Sequence, residues 1–201
     1  MANDLLSRGN RRARSAGSGL LDDGGMARAA VRPAVPADVD EIVRIQAATW
    51  RVAYTGLVPD GAITRLHDEG SRQAWAAAVA AGTGFHVFVA TEDDQAVGFC
   101  AAAHYAAGTG PGVAEIATLL VEPRWGRRGH GGRLLAAAAE ALRGYGAERG
   151  RAWVPEADAA SRRFYARAGW APDGAVRTLD TGDGTLREIR LAGPLDLQLV
   201  D

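Results

Sequence analysis

The stretch from Glu115 to Leu135 constrains this chain more than any other. An apolar run, Glu115-Ile-Ala-Thr-Leu-Leu-Val121, leads through Glu122-Pro123 into a loop that mixes Arg124, Arg127, Arg128 and Arg133 with Gly126, Gly129, Gly131 and Gly132. Leu134, Leu135, Ala138, Ala141 and Leu142 then recur at helical spacing. The pattern reads strand, tight loop, helix, with Pro123 ending the strand. The first amides of a helix have no internal partner, and the helix dipole is positive at that end. A pyrophosphate fits there. The glycines permit close backbone approach, and each well-formed contact from an arginine contributes roughly 1.5–3 kcal/mol.

Other readings of a glycine-rich loop fail on particular residues. All 23 basic residues are arginine, so a Walker A lysine, a Schiff-base lysine and a lysine base are excluded; arginine stays protonated and binds anions as a fixed fork. The dinucleotide fingerprint, counted from Gly129 and Gly131, needs glycine at position 134, where Leu134 stands. A net charge of -1 gives no overall basic field for nucleic acid. His67, His86, His104 and His130 show no metal-ligand spacing, so no metal is expected. The lone Cys100 permits no internal disulfide and reads as a buried, inert thiol. No run of 18 apolar residues is present, and the N-terminal arginines precede no signal-peptide core. A cytoplasmic setting with no membrane partner is the expectation.

The 201 residues suit one α/β domain over 27–192 with two tails. Residues 1–26, rich in Gly, Ser, Arg and Asp, read as a disordered tail, with Met26 as the expected true start, and 193–201 as a C-terminal tail. Strands are expected at 30–35, 85–91, 96–104, 114–121, 151–154, 171–178 and 185–192. Helices are expected after Pro36-Ala37-Asp38, within 59–82 (with Leu66, Trp75, Ala78 and Val79 on the buried side), at 131–147 and at 157–168. Alternation along the fourth strand places Glu115, Ala117 and Leu119 on one face. His130 is expected to face solvent or lie beside a phosphate.

Leu119-Leu-Val-Glu-Pro123 followed by Arg127-Arg-Gly-His-Gly-Gly-Arg-Leu-Leu135 resembles the acetyl-CoA motif of the GNAT superfamily, Q/R-x-x-G-x-G/A, with Gly126 at the Q/R position. Asp158-Ala-Ala-Ser-Arg-Arg-Phe-Tyr165-Ala-Arg-Ala-Gly-Trp170 resembles the family's N-x-x-A-x-x-F-Y-x-x-x-G-F segment, with Asp158 for Asn, Ser161 for Ala and Trp170 for Phe. Val31-Arg32-Pro33 with Asp40, and Trp50…Tyr54-x-Gly56, are similar to further family landmarks. The likeness covers about 165 residues, and two motifs in the right order make it specific to the superfamily but not to a substrate.

The resemblance implies the GNAT fold: a twisted, mixed, mostly antiparallel sheet of six to seven strands with about four helices. It implies acetyl-CoA as co-substrate, held by Leu119, Leu120, Val121, Arg127, Arg128, Gly129, His130, Gly131, Gly132, Arg133, Asp158 and Ser161. The strand at 119–121 is expected to splay and to pair with pantetheine. A primary amine, on a small molecule or a peptide, attacks the thioester directly. Tyr165 is the implied general acid and Glu115 the implied general base; against these stand an aromatic packing role for Tyr165 and a salt-bridged strand carboxylate for Glu115. Trp50 and Tyr54 line the acceptor pocket or belong to the core. Members that acetylate ribosomal-protein N-termini often carry an acid where Trp153 stands, which weakens that specific reading. Homodimers are common in the family, though no residue pattern here carries one. The alternative class is a non-catalytic acyl-CoA-binding regulatory module; retention of both Glu115 and Tyr165 favours the enzyme.

Overall fold

Seven strands form one mixed sheet in the computed structural model, which describes residues 28–55, 68–104, 113–181 and 184–197. The expected N-terminal tail, Met26, Gly56, Leu66 and His67 lie outside the described residues. The elements run β1 (Ala29–Pro33), a 3-10 turn (Pro36–Asp38), α1 (Val39–Ala53), α2 (Glu69–Ala80), β2 (Phe85–Glu92), β3 (Gln95–His104), β4 (Val113–Val121), a second 3-10 turn (Pro123–Trp125), α3 (His130–Gly144), β5 (Arg149–Pro155), α4 (Ala159–Arg167), β6 (Ala171–Asp180) and β7 (Thr185–Pro194). The sheet order is β1-β2-β3-β4-β5-β7-β6. Only β4 and β5 pair in parallel; the other neighbours are antiparallel. These elements match the expected ones to within a few residues. β7 passes the expected boundary at 192, and Leu195 beyond it is buried.

Two apolar layers cover the sheet. Ile42 and Ile45 of α1, with Trp75, Ala78 and Val79 of α2, pack on Val87, Val89, Phe99 and Ala101. Leu134, Leu135, Ala138 and Leu142 of α3 and Tyr165 of α4 pack on the other face, against Ala90, Cys100, Ala102, Ala114, Ile116 and Ala152. Burying each large side chain stabilises by about 1.5–3 kcal/mol. Asp38, ahead of α1, accepts the Val35 amide at 2.8 Å and both terminal nitrogens of Arg32 at 2.6 and 2.7 Å. Asp40 instead joins α1 to α2 through Arg72, at 2.8 Å.

Trp170 closes the second layer and dictates two glycines. Its indole nitrogen donates to the Pro194 carbonyl at 2.9 Å. A Cβ on Gly150 would lie 2.5 Å from the ring, and one on Gly193 2.2 Å from it, so β5 and β7 provide a bare floor for the ring.

Two irregularities of β4 shape the site. Ala101 pairs with Thr118 but Ala102 with Ile116, so Ala117 is an extra residue, a bulge. The bulge overturns the expected alternation. Ala114 and Ile116 face the α3 layer before it, and Leu119 and Val121 face that layer after it, while Leu120 faces α1 and α2. Glu115 therefore lies on the α1 face and Leu119 on the opposite one, because one inserted residue shifts a period of two by one step. Second, β4 and β5 pair only from Val113↔Arg149 to Ile116↔Ala152. Beyond that point β4 continues along β3 to Val121 and β5 along β7 to Pro155, so the two strands part.

Candidate active site

The opening between β4 and β5 has the N-terminus of α3 on its α3-layer side. Gly129, at φ 81°, caps this helix in the left-handed conformation that glycine adopts without strain. The first intrahelical bond runs from the Arg133 amide to the Gly129 carbonyl at 3.1 Å. The amides of His130, Gly131 and Gly132 precede that bond and are available as donors. Gly131 lies against Phe164 and Leu119, where a Cβ would sit 3.1 Å from the Phe164 ring; a Cβ on Gly132 would meet nothing within 4 Å.

The arginines around this helix start do not act as one cationic patch. Arg124 pairs with Glu122 at 2.8 Å. Arg128 pairs with Glu92 at 2.8 Å and lies 4.7 Å over the Trp125 ring. Arg133 folds back onto the Arg128 carbonyl at 3.0 Å. Arg127 has no polar partner among the described residues, and it holds φ 61°, a conformation that costs a non-glycine residue roughly 1–2 kcal/mol.

His130 is not solvent-facing. Its side chain is fully buried, and Nε2 lies 2.7 Å from Glu92 Oε2. The cause is the inward pitch of the first α3 turn onto the end of β2, which the loop reading could not place. Burial alone would raise the Glu92 carboxyl, but the hydrogen bonds from His130 and Arg128 outweigh it and hold the group below the usual carboxylate range.

Tyr165 is 4% exposed, stacked on Trp170 with ring centroids 5.1 Å apart and set edge-on to Phe164. Burial, reinforced by neighbouring Cys100 and Tyr54, pushes its phenol well above the ordinary range. It therefore keeps its proton until a strong base forms beside it. Glu115 pairs with Arg151, its register partner on β5, at 3.0 Å.

Asp158 caps α4, accepting the amides of Ala160 and Ser161 at 3.0 Å each and the Ser161 hydroxyl at 2.6 Å. Nearby, the Tyr54 phenol is pushed up by burial and by the charges of Asp158 and Glu188. Tyr54 is buried at the end of α1, with Trp50 edge-on at 5.0 Å and Leu186 packed beside it. Trp153 lies between Arg177, at 4.4 Å, and Arg190, at 5.5 Å, which pair in turn with Glu188 and Asp173.

The profile of the acetyltransferase (GNAT) family matches residues 42–170. The chain belongs to the GNAT acetyltransferase family. Solved structures agree in fold. The PaiA N-acetyltransferase from Thermoplasma acidophilum, in complex with coenzyme A, aligns with a TM-score of 0.68 at 17% identity, over 83% of this chain and 99% of that one. The ribosomal-protein-alanine N-acetyltransferase from Brucella melitensis aligns at 0.66 and 21%, over 82% and 99%. The ribosomal-protein-S18-alanine N-acetyltransferase from Escherichia coli aligns at 0.58 and 18%, over 84% and 94%. No curated protein matches the sequence.

Within this GNAT domain the elements bring the loop residues 127–133, the strand end 119–121 and the α4 residues together around one opening, with Glu115 at its closed end on the opposite face. Sequence reasoning missed Glu92, which falls between the expected strands 85–91 and 96–104, and the nearness of Tyr54 to the Asp158 charge. Neither has a local signal. A cleft of about 460 Å³ is lined by none of the predicted site residues; among its lining charges Arg32 pairs with Asp38 and Arg44 with Glu41, while Arg44 and Arg124 also reach Glu122 outside the lining. Among the described residues no helix is long and apolar enough to cross a membrane, and no His/Cys/Asp/Glu group could hold a metal.

Proposed function

We propose that this acetyltransferase moves the acetyl group of acetyl-CoA to a primary amine, on a small molecule or a peptide, by direct attack. The observation that carries this reading is the parting of β4 from β5 after Ile116 and Ala152, beside the uncovered amides of α3. The residues present fit the co-substrate. The backbone of 119–121 has no β5 partner and suits the pantetheine amides, while the amides of 130–132 and Arg127, without a polar partner among the described residues, suit the pyrophosphate. Acetyl-CoA supplies an acyl carbon activated as a thioester.

The chain's own groups then handle protons. Glu115, through water, takes the proton that the ammonium must lose before its nitrogen can attack. The new C–N bond forms as the C–S bond breaks. Tyr165 donates its phenolic proton to the departing sulfur, and the second proton that the nitrogen sheds on becoming an amide restores the phenol, a role suited to a buried phenol that stays neutral through the physiological range. Holding both reactants in line supplies several kcal/mol of the barrier reduction. The acceptor enters on the α1 face, where Glu115 lies.

Thiol release from acetyl-CoA across polyamines, aminoglycosides, amino acids and short peptides tests the reading. Turnover on one class, with kcat lowered about 100-fold in Tyr165→Phe and little change in acetyl-CoA binding, is the expected result. Unchanged kcat in that variant rejects the acid role. Tight acetyl-CoA binding without turnover on any amine points to an acyl-CoA-binding module.

A further inference from the structure

We infer that Glu92 and His130 form a buried clasp that aims the α3 entrance at the pyrophosphate, making His130 a positioning residue for co-substrate binding. The inference rests on the reading of acetyl-CoA as co-substrate.

A carboxylate beneath an anion-binding helix start is electrostatically backward, since it repels the same anion the helix attracts. Glu92 is there nonetheless, with its side chain 10% exposed, at the end of β2. Its two oxygens hold two different residues. Oε1 accepts from Arg128 at 2.8 Å, and Oε2 lies 2.7 Å from His130 Nε2. Those residues flank Gly129, whose left-handed turn sets the direction of the three uncovered amides. One carboxylate therefore grips both sides of the pivot.

The ionised carboxylate can only accept, so Nε2 carries the hydrogen. Nδ1 is buried with no partner among the described residues. An unsatisfied buried nitrogen is a cost that an apolar side chain at this position would avoid. Against that cost, the one hydrogen bond of the imidazole among the described residues goes to the residue that also holds Arg128. The energetic return is the fixed geometry of the turn.

Binding of CoA by calorimetry, and turnover of acetyl-CoA against S-acetylpantetheine, which lacks the pyrophosphate, test the clasp in the full chain. His130→Leu should raise the CoA Kd about tenfold. His130→Gln, whose amide nitrogen reaches the Nε2 position, should recover most of that loss. The S-acetylpantetheine kcat/KM should stay within about twofold, because no pyrophosphate is being aimed. Equal losses with both thioesters, or no recovery in His130→Gln, would assign His130 a purely structural role and overturn the inference. Glu92→Gln adds a test of sign that survives a misfolded His130→Leu. Removing a nearby negative charge alone tightens CoA binding, whereas loosening the clasp weakens it; tighter binding overturns the inference. A wild-type protein that binds no CoA overturns the proposed function itself, whereas wild-type binding that His130→Leu leaves unchanged overturns only the clasp.

Discussion

Gly132 and Gly193 are the same letter in the sequence and opposites in the fold. A Cβ on Gly193 would sit 2.2 Å from the Trp170 ring, and one on nearby Gly150 2.5 Å from it. The protein fills that space itself, with an indole whose nitrogen is satisfied by Pro194. At Gly132, on the first turn of α3, a Cβ would meet nothing within 4 Å. The protein leaves that space unfilled. Gly150 and Gly193 are thus consumed by packing, whereas Gly132 remains open after packing is complete. Under the proposed function, the space at Gly132 is where the pyrophosphate of acetyl-CoA comes in.

The largest effect that separates the two regions is expected at the floor of Trp170. Gly193→Ala should lower stability by about 3 kcal/mol in urea unfolding, the cost of overpacking a tight core site. Adding Trp170→Leu should return part of the loss, since the clash is with the ring; no recovery would mean the glycine answers to something else. Gly132→Ala should do the reverse. It removes a poor helix former and should stabilise by about 0.5 kcal/mol. Under the proposed function it also places a methyl in the path of the pyrophosphate, and the CoA Kd should rise about tenfold. Unaltered CoA binding would break the comparison, leaving Gly132 without a ligand to explain it.

The smallest effect comes from a contact in neither region and sets a baseline. The Arg32 hydrogen bonds, together with the Val35 amide, hold Asp38 below its ordinary carboxyl range. A depressed folded-state value means the unfolded chain binds the proton more readily, so the contribution is present above about pH 4 and disappears as pH falls through the folded-state value. Asp38→Asn should cost about 1 kcal/mol at pH 7 and nearly nothing near pH 2, read from chemical unfolding at the two pH values. A pH-independent difference would assign the effect to packing instead of charge.

Local periodicity made most of the frame legible. The 131–147 helix and the 157–168 helix showed in residues three and four apart. The glycine–arginine loop announced a helix N-terminus because that signal spans only a few residues. What escaped the sequence depends on residues that meet only after folding. Glu92 and His130 are 38 positions apart, and nothing near either one points to the other. The bulge at Ala117 is a relation between two strands, invisible in either alone, and it reverses the face of every side chain beyond it. Arginine count misled for a related reason. Arg124 and Arg128 read as free positive charge, but Arg124 is taken by Glu122 at the loop's own entrance and Arg128 by Glu92, 36 positions away.

Ala117 also bears on how the reactants reach one another. One additional residue turns β4 into a frame with two sides, so that Glu115 opens toward α1 and Leu119 toward α3. Under the proposed reaction the amine and the thioester come to the same gap through separate doors. Neither has to leave for the other to enter, and the transfer can proceed with both in place, with no need to park the acetyl group on the protein in between.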